Sequence, residues 1–256
     1  TGAGGALPVI AADGRRPWQA YARAFDAPAD RPRVAIVLAD LGLNRNLSAQ
    51  AITQTPADVT LAFSPYAADL AEWLARARAG GHEVLIMLPM EPNDYPASDP
   101  GPRALMTSLS ASENLSRLEW LLARAAGYAG VATYMGSKFT ASADDLRPIL
   151  TAMRERGLLF VDTRSSPRSV AARLAREADV PFAASSRFID NDASASAIDA
   201  RLNDLERIAR NGGVALGVGF PHPLTLARVT AWAETLPAKG LALAPVSAIV
   251  LRPTGG

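Results

Sequence analysis

Eight short apolar runs, spread through residues 34–248 and separated by amphipathic stretches, leave this chain few ways to fold. They are VAIVLAD (34–40), VTLAFSP (59–65), EVLIMLP (83–89), GVATYM (130–135), LLFVDTR (158–164), PFAASSRFI (181–189), GVALGVGF (213–220) and LALAPVSA (241–248). Runs that are apolar throughout suit strands covered on both faces. Strands that alternate with helical stretches suit parallel pairing. No Gly-rich dinucleotide turn follows the first run, so an irregular α/β barrel of seven or eight strands is expected, not an open nucleotide-binding sheet.

The intervening helices follow from spacing. LAEWLARARAGG (70–81) places Leu70, Trp73, Leu74 and Ala77 on one face. ENLSRLEWLLARAAG (113–127) follows Ser112 as an N-cap and closes on Gly127, while Ser142, Pro167 and Asp199 mark other starts. Neither an internal repeat nor a second composition regime is visible, so one domain is expected over residues 33–252. Residues 1–32, rich in Gly, Ala and Pro, form an N-terminal extension expected to pack on the barrel. Its PWQAYARAF (Pro17 to Phe25) carries three aromatics at near-helical spacing; the alternative to packing is a docking site for a partner through Trp18 and Tyr21.

Composition mainly excludes. A net charge of +1 gives no field that favours nucleic acid or an anionic membrane. With no cysteine, disulfides, thiolate zinc sites and cysteine nucleophiles are ruled out. No apolar window is long enough to span a bilayer. The opening TGAGGALP reads as a cut end, so removal of a targeting segment is expected.

Chemistry in such folds gathers at the C-terminal ends of the strands. Reading those ends gives Asp40; Ser64-Pro65-Tyr66; Met87 to Glu91; Tyr134 to Lys138; Asp162-Thr163-Arg164; Asp190-Asn191-Asp192; Phe220-Pro221-His222; and Ser247. Each residue also has a plain reading as a turn former or loop cap. GVGF (217–220) could form a backbone phosphate nest, but Pro-His-Pro follows it and no clear helix start does. Glu91 and Asp162 could form a glycosidase carboxylate pair, with nothing in the sequence to fix their separation.

VLADLGLN, LAFSPYAADLAEW, AGGHEVLIMLPMEPNDYPASDPGP, YMGSKFT, LFVDTRSSPRSVA, FIDND and GVGFPHPLTL, in that order, resemble the divergent polysaccharide deacetylase family, within the polysaccharide deacetylase superfamily. The match runs from about Arg33 to Leu251, and LPMEPNDYPASDPGP is its most specific block. The resemblance implies an irregular (β/α) barrel, a periplasmic place in the cell envelope, and descent from metal-dependent amide hydrolysis on N-acetylated sugars. In that chemistry a metal polarises the acetamide and activates a water. A carboxylate and two imidazoles hold the metal, an Asp is the base, and a late-strand His is the acid.

Against that pattern the chain departs three times. The first strand normally ends in two acidic residues, base then ligand; here the pair is Ala39-Asp40. The Gly-His-Glu opening is present as Gly81-His82-Glu83, but the ligand position five beyond the His is Met87, and nine beyond stands Glu91. The late-strand His position is Phe220, with His222 two residues on. A thioether is a poor ligand for zinc and a phenyl ring cannot carry a proton. The expectation is therefore a cell-envelope binding module without metal or other cofactor, with Asp40 and Glu91 as the only, weak, metal candidates. Its ligand would be peptidoglycan, another N-acetylated glycan, or a wall-remodelling protein. Asp40, Glu91, Tyr134, Lys138, Asp162, Arg164, Asp190, Asp192 and His222 are the expected ligand-binding residues. The alternative is an active deacetylase, zinc-dependent, on a relocated site, with Asp40, Asp162 and His222 as candidate catalytic groups and Lys138 stabilising an oxyanion.

Overall fold

The chain alternates strands and helices almost from its start. A short helix, α1 (Pro17–Ala20), opens with Pro17 at its first position. Then come β1 (Arg33–Leu41), α2 (Arg45–Gln54), β2 (Thr60–Phe63), α3 (Leu70–Ala79) and β3 (Val84–Met90). The middle of the chain forms α4 (Ala111–Leu122), β4 (Gly130–Met135), α5 (Ala143–Glu155), β5 (Leu159–Asp162), α6 (Ala171–Glu177) and β6 (Phe182–Ala184). The last part forms β7 (Arg187–Phe188), α7 (Ala195–Gly212), β8 (Val214–Gly219), α8 (Pro223–Thr235) and β9 (Ala242–Leu243). This computed structural model describes residues 5–28 and 30–250; residues 1–4 and 251–252, at the outer ends of the two expected segments, lie outside them.

The described residues divide into two compact units. One holds the chain up to Tyr21, Ile86–Ala184 and Val250; the other holds Ala22–Leu85 and Ser185–Ile249. In the first, strands run in the order β3-β4-β5-β6, with β4, β5 and β6 parallel. In the second the order is β2-β1-β8-β7, also parallel, with β9 against the start of β1. β3 begins in the second unit and continues into the first.

The parallel α/β class expected from the alternating runs is what forms. β1 is buried along almost its whole length, and β2, β3 and β5 along all of theirs, as strands covered on both faces should be. Helix α3 buries Leu70, Trp73, Leu74 and Ala77, the face read from spacing. Four local readings are corrected. The run PFAASSRFI makes two short strands, because at Ser185-Ser186 the backbone turns from β5 to β8: Ser186 donates its N–H to the Leu216 carbonyl. Helix α4 starts at Ser110, whose hydroxyl and Glu113 carboxylate close a capping box, and ends near Ala123 instead of Gly127. Helix α7 starts after Ser194, well before Asp199, and α6 after Val170 instead of Pro167.

The Gly-His-Glu opening of β3 knits the second unit together at the N-terminal end of its strands. Gly81 takes φ +85°, and its carbonyl accepts Arg23 Nη1 at 2.9 Å. The buried His82 ring sits 2.9 Å from the Val59 carbonyl and 3.0 Å from that of Ile52. Glu83 is buried and accepts N–H bonds from Ser247 and Arg23 at 3.0 and 3.3 Å; burial nonetheless pushes its carboxyl up. These groups join β2, β3, the N-terminal segment and the turn after β9, at the opposite end of the strands from Asp40.

Candidate functional site

In the first unit the C-terminal end of β3 is closed by its own residues. Glu91 follows β3 and is only 4 % exposed. Its Oε1 accepts Lys138 Nζ at 2.8 Å, and its Oε2 accepts both the N–H and the hydroxyl of Thr107, each at 2.7 Å. Its backbone carbonyl takes the N–H groups of Lys138 and Phe139. Burial alone would raise the Glu91 carboxyl, but Lys138 and Thr107 outweigh it and hold the group below the usual range. The chain passes close here: a Cβ on Gly136 would lie 2.9 Å from that of Met90, and Gly136 takes φ +84°. Lys138 is half exposed, and Tyr134 on β4 is half-buried.

Asp162 ends β5 in the same manner. It is buried; Oδ1 accepts the Arg164 N–H at 2.7 Å and Oδ2 accepts the Ser169 hydroxyl at 2.6 Å. Arg164 takes φ +59° and is exposed. Met87 lies within the wholly buried β3. As a glycosidase pair Glu91 and Asp162 fit badly: one member must stay protonated near neutral pH, and Glu91 is shifted the other way, while both carboxylates are engaged by their own loops.

The second unit carries a different arrangement. β1 pairs Leu38 with Leu61 and Leu41 with Phe63, so Ala39 and Asp40 together oppose one residue of β2. This bulge puts Asp40 at φ +62°, a left-handed conformation that Asp tolerates better than most residues. A bulge re-aims side chains at a strand end. Asp40 is half-buried and burial pushes its carboxyl up. On the neighbouring strand, Leu38 pairs with Gly219, so Ala39-Asp40 and Phe220 leave the β1–β8 pair at the same end.

Asp190, after β7, is 7 % exposed. Its Oδ2 accepts the Phe220 N–H at 2.7 Å and the Thr225 hydroxyl at 2.9 Å, while its Oδ1 is buried with no hydrogen-bond partner. Burial pushes the Asp190 carboxyl up, opposed by the Phe220 N–H, by Thr225 and by the nearby His222. His222 is exposed; it is the N-cap of α8 without a side-chain cap bond, its ring centroid 6.3 Å from that of Phe220. A helix therefore does start here, with His222 as N-cap and Pro223, the last residue of Pro-His-Pro, at its first position. GVGF is not a nest: Cβ atoms on Gly217 and Gly219 would lie 2.6 Å from Leu205 and Ile189, so these glycines serve close packing. Asp192 is exposed and accepts the Ser194 N–H, a turn into α7.

Zinc does not fit the residues present. The three pattern positions carry a methyl, a thioether and a phenyl ring, and the Glu91 oxygens are already engaged by Thr107 and Lys138. Among the described residues, no three His, Cys, Asp or Glu side chains gather in a way that could hold a metal ion. Thr107, Ser169 and Thr225 were not singled out by sequence; each bonds a strand-end carboxylate. In the N-terminal extension Trp18 is buried, and Tyr21 lines a groove of about 340 Å³ with Leu7, Pro8, Val9 and Tyr128. No helix among the described residues is long and apolar enough to cross a membrane.

Comparison with known proteins adds the following. The family model described as divergent polysaccharide deacetylase matches residues 36–250. The crystal structure of the uncharacterized protein ATU2773 from Agrobacterium tumefaciens C58 superposes with a TM-score of 0.93 at 37 % identity, over 96 % of this chain and 100 % of that one. An uncharacterized Haemophilus influenzae protein is 28 % identical over 205 residues, 80 % of this chain and 72 % of its own length. The catalytic domain of peptidoglycan N-acetylglucosamine deacetylase from Eubacterium rectale ATCC 33656 gives a TM-score of 0.54 at 13 % identity, over 91 % of this chain and 97 % of that one, a likeness of fold alone.

Proposed function

We propose a function from one premise: the chain belongs to the divergent polysaccharide deacetylase family. On that footing the protein is a glycan-binding module of the cell envelope, working in the periplasm on peptidoglycan or another N-acetylated glycan, without metal-dependent deacetylation. The observation that carries the reading is the β1 bulge. A deacetylase needs a base beside its ligand carboxylate; here the residue before Asp40 is Ala39, and a methyl group takes no proton. Met87 and Phe220 support it, since neither side chain can replace an imidazole as ligand or acid. The parallel sheets leave polar strand ends typical of sites that bind small ligands.

The test is direct. The purified chain, incubated with zinc and desalted, is analysed for bound metal, and acetate release is followed with chitooligosaccharide and peptidoglycan. Sub-stoichiometric metal, no acetate above the blank and measurable glycan retention are expected. Stoichiometric zinc with turnover would establish an active deacetylase instead. Silent glycan titrations with a co-purifying protein would move the role to protein binding.

A further inference from the structure

Residues 91–110 join β3 to α4 with no helix or strand of their own, a length that compact folds more often devote to function than to connection. A loop of this kind is soft unless something holds it. Here much does. Its return limb pairs with the end of β3, through Glu91 N–H to the Leu105 carbonyl and Leu105 N–H to the Pro89 carbonyl, both 2.9 Å. Thr107 is fixed on the Glu91 carboxylate, and Asn114 brackets Met106 by accepting its N–H and donating to its carbonyl. The outgoing limb is tied by Asn93 N–H to the Ser137 hydroxyl at 2.9 Å. Its outer turn closes on Asp94, which accepts the Ala97 N–H through its carbonyl and the Ser98 hydroxyl through its carboxylate.

On that turn stands Tyr95, 43 % exposed; every other Trp, Tyr and Phe among the described residues is buried or half-buried. A single exposed apolar side chain needs no explanation. A ring held out by an ordered loop at the C-terminal end of a parallel strand is another matter. Ligands of α/β folds bind at that end, and a loop already ordered spares them the entropy of ordering it.

We propose that Tyr95 is the stacking face of a saccharide site, with the Asn93 side-chain amide and the Lys138 ammonium as hydrogen-bonding groups at its rim. The inference rests on the glycan-binding reading above and narrows it to one place. A pyranose ring has a face of C–H groups and an edge of hydroxyl or acetamido groups. An aromatic face takes the first through its negative quadrupole, and a few polar groups suffice to orient the second. Asn93 is exposed and offers a donor pair and an acceptor. Lys138 carries three donors, of which Glu91 takes one.

The test uses the full chain as wild type, Y95A and Y95F. Each is titrated with chitotetraose and assayed for retention on insoluble peptidoglycan, and the variants are compared on whichever probe the wild type binds. Tyr95 is exposed, so all three should share one unfolding midpoint. Affinity in Y95A should fall about tenfold or more, and in Y95F stay within about twofold of wild type. Equal binding by wild type and Y95A would overturn the inference and leave the glycan reading standing. Binding of neither probe by the wild type would overturn both.

Discussion

The two units place the same kind of residue at the same kind of position and treat it in opposite ways. In the β3–β6 unit, Glu91 and Asp162 have every carboxylate oxygen engaged, by Lys138 and Thr107 in one case and by Arg164 and Ser169 in the other. In the unit built on β1 and β8, Asp40 and Asp190 are pushed up by burial, and one oxygen of Asp190 has no partner. A strand-end carboxylate is thus not a site by virtue of its place. Where donors meet it on all sides it is an anchor, and its energy goes into holding a loop. Where burial exceeds the donors supplied, the charged form is disfavoured and the carboxyl is held above its ordinary range.

The strongest way to break this contrast is Glu91→Ala. It strands the half-buried donors of Thr107 and unpairs Lys138, so unfolding in urea should show a loss of about 2 kcal/mol, and limited proteolysis should open cuts within residues 91–110. The pH dependence follows from the sign of the shift. Glu91 is lowered in the folded state, so its contribution is complete above the ordinary Glu value of 4.5 and is lost as pH falls through the lower folded value. The gap between wild type and variant should therefore be flat from neutral pH down to about 4.5 and shrink below it. A variant as stable and protease-resistant as wild type would remove the anchor argument.

Asparagine sharpens the comparison, because one substitution should act with opposite sign in the two units. Asp162→Asn exchanges charge-assisted bonds to Arg164 and Ser169 for neutral ones and should weaken the fold by about 1 kcal/mol. Asp190→Asn keeps an acceptor for Phe220 and Thr225, puts an amide nitrogen where Oδ1 already lacked a partner, and removes a buried charge. Asp190 is raised in the folded state, so wild-type stability falls as pH climbs from the ordinary Asp value of 3.8 through the folded value. The variant should thus be about 1 kcal/mol more stable than wild type at pH 8 and lose that advantage in acid. Urea titrations of both variants at two pH values decide it; destabilisation of equal size in both would erase the distinction.

How much of this was legible in the sequence depends on range. Helix α3 and the buried strands were, since their patterns repeat within a turn or two and burial follows directly. The start of α4 was misplaced by two residues, because Ser110 and Ser112 both suit an N-cap and only the reach of Glu113 chooses between them. The split of PFAASSRFI was hidden, since an apolar run does not say which neighbour each half pairs with. At the site, strand ends could be located, but not the state of their carboxylates. Glu91 is met by Thr107 from 16 residues away and Lys138 from 47, and Asp190 by Thr225 from 35. Such partners are fixed only once the strands are in register. The bulge that turns Asp40 left-handed likewise needs β2 beside β1, and nothing local announces it.

The smallest expected effect bears on what the raised carboxyls of the β1–β8 unit are for. His222 is exposed, makes no side-chain cap bond at the start of α8, and touches this region through a tilted contact with Phe220. His222→Ala should shift unfolding by no more than about 0.5 kcal/mol. On the binding reading acetate release is absent from wild type and variant alike. A relocated hydrolase would respond differently: with His222 as its acid, any acetate release by the wild type would disappear while stability and affinity stayed level. Acetate release in wild type that vanishes in this variant would make Asp190 and His222 working groups, and the unpartnered Oδ1 part of a mechanism instead of a cost the fold carries.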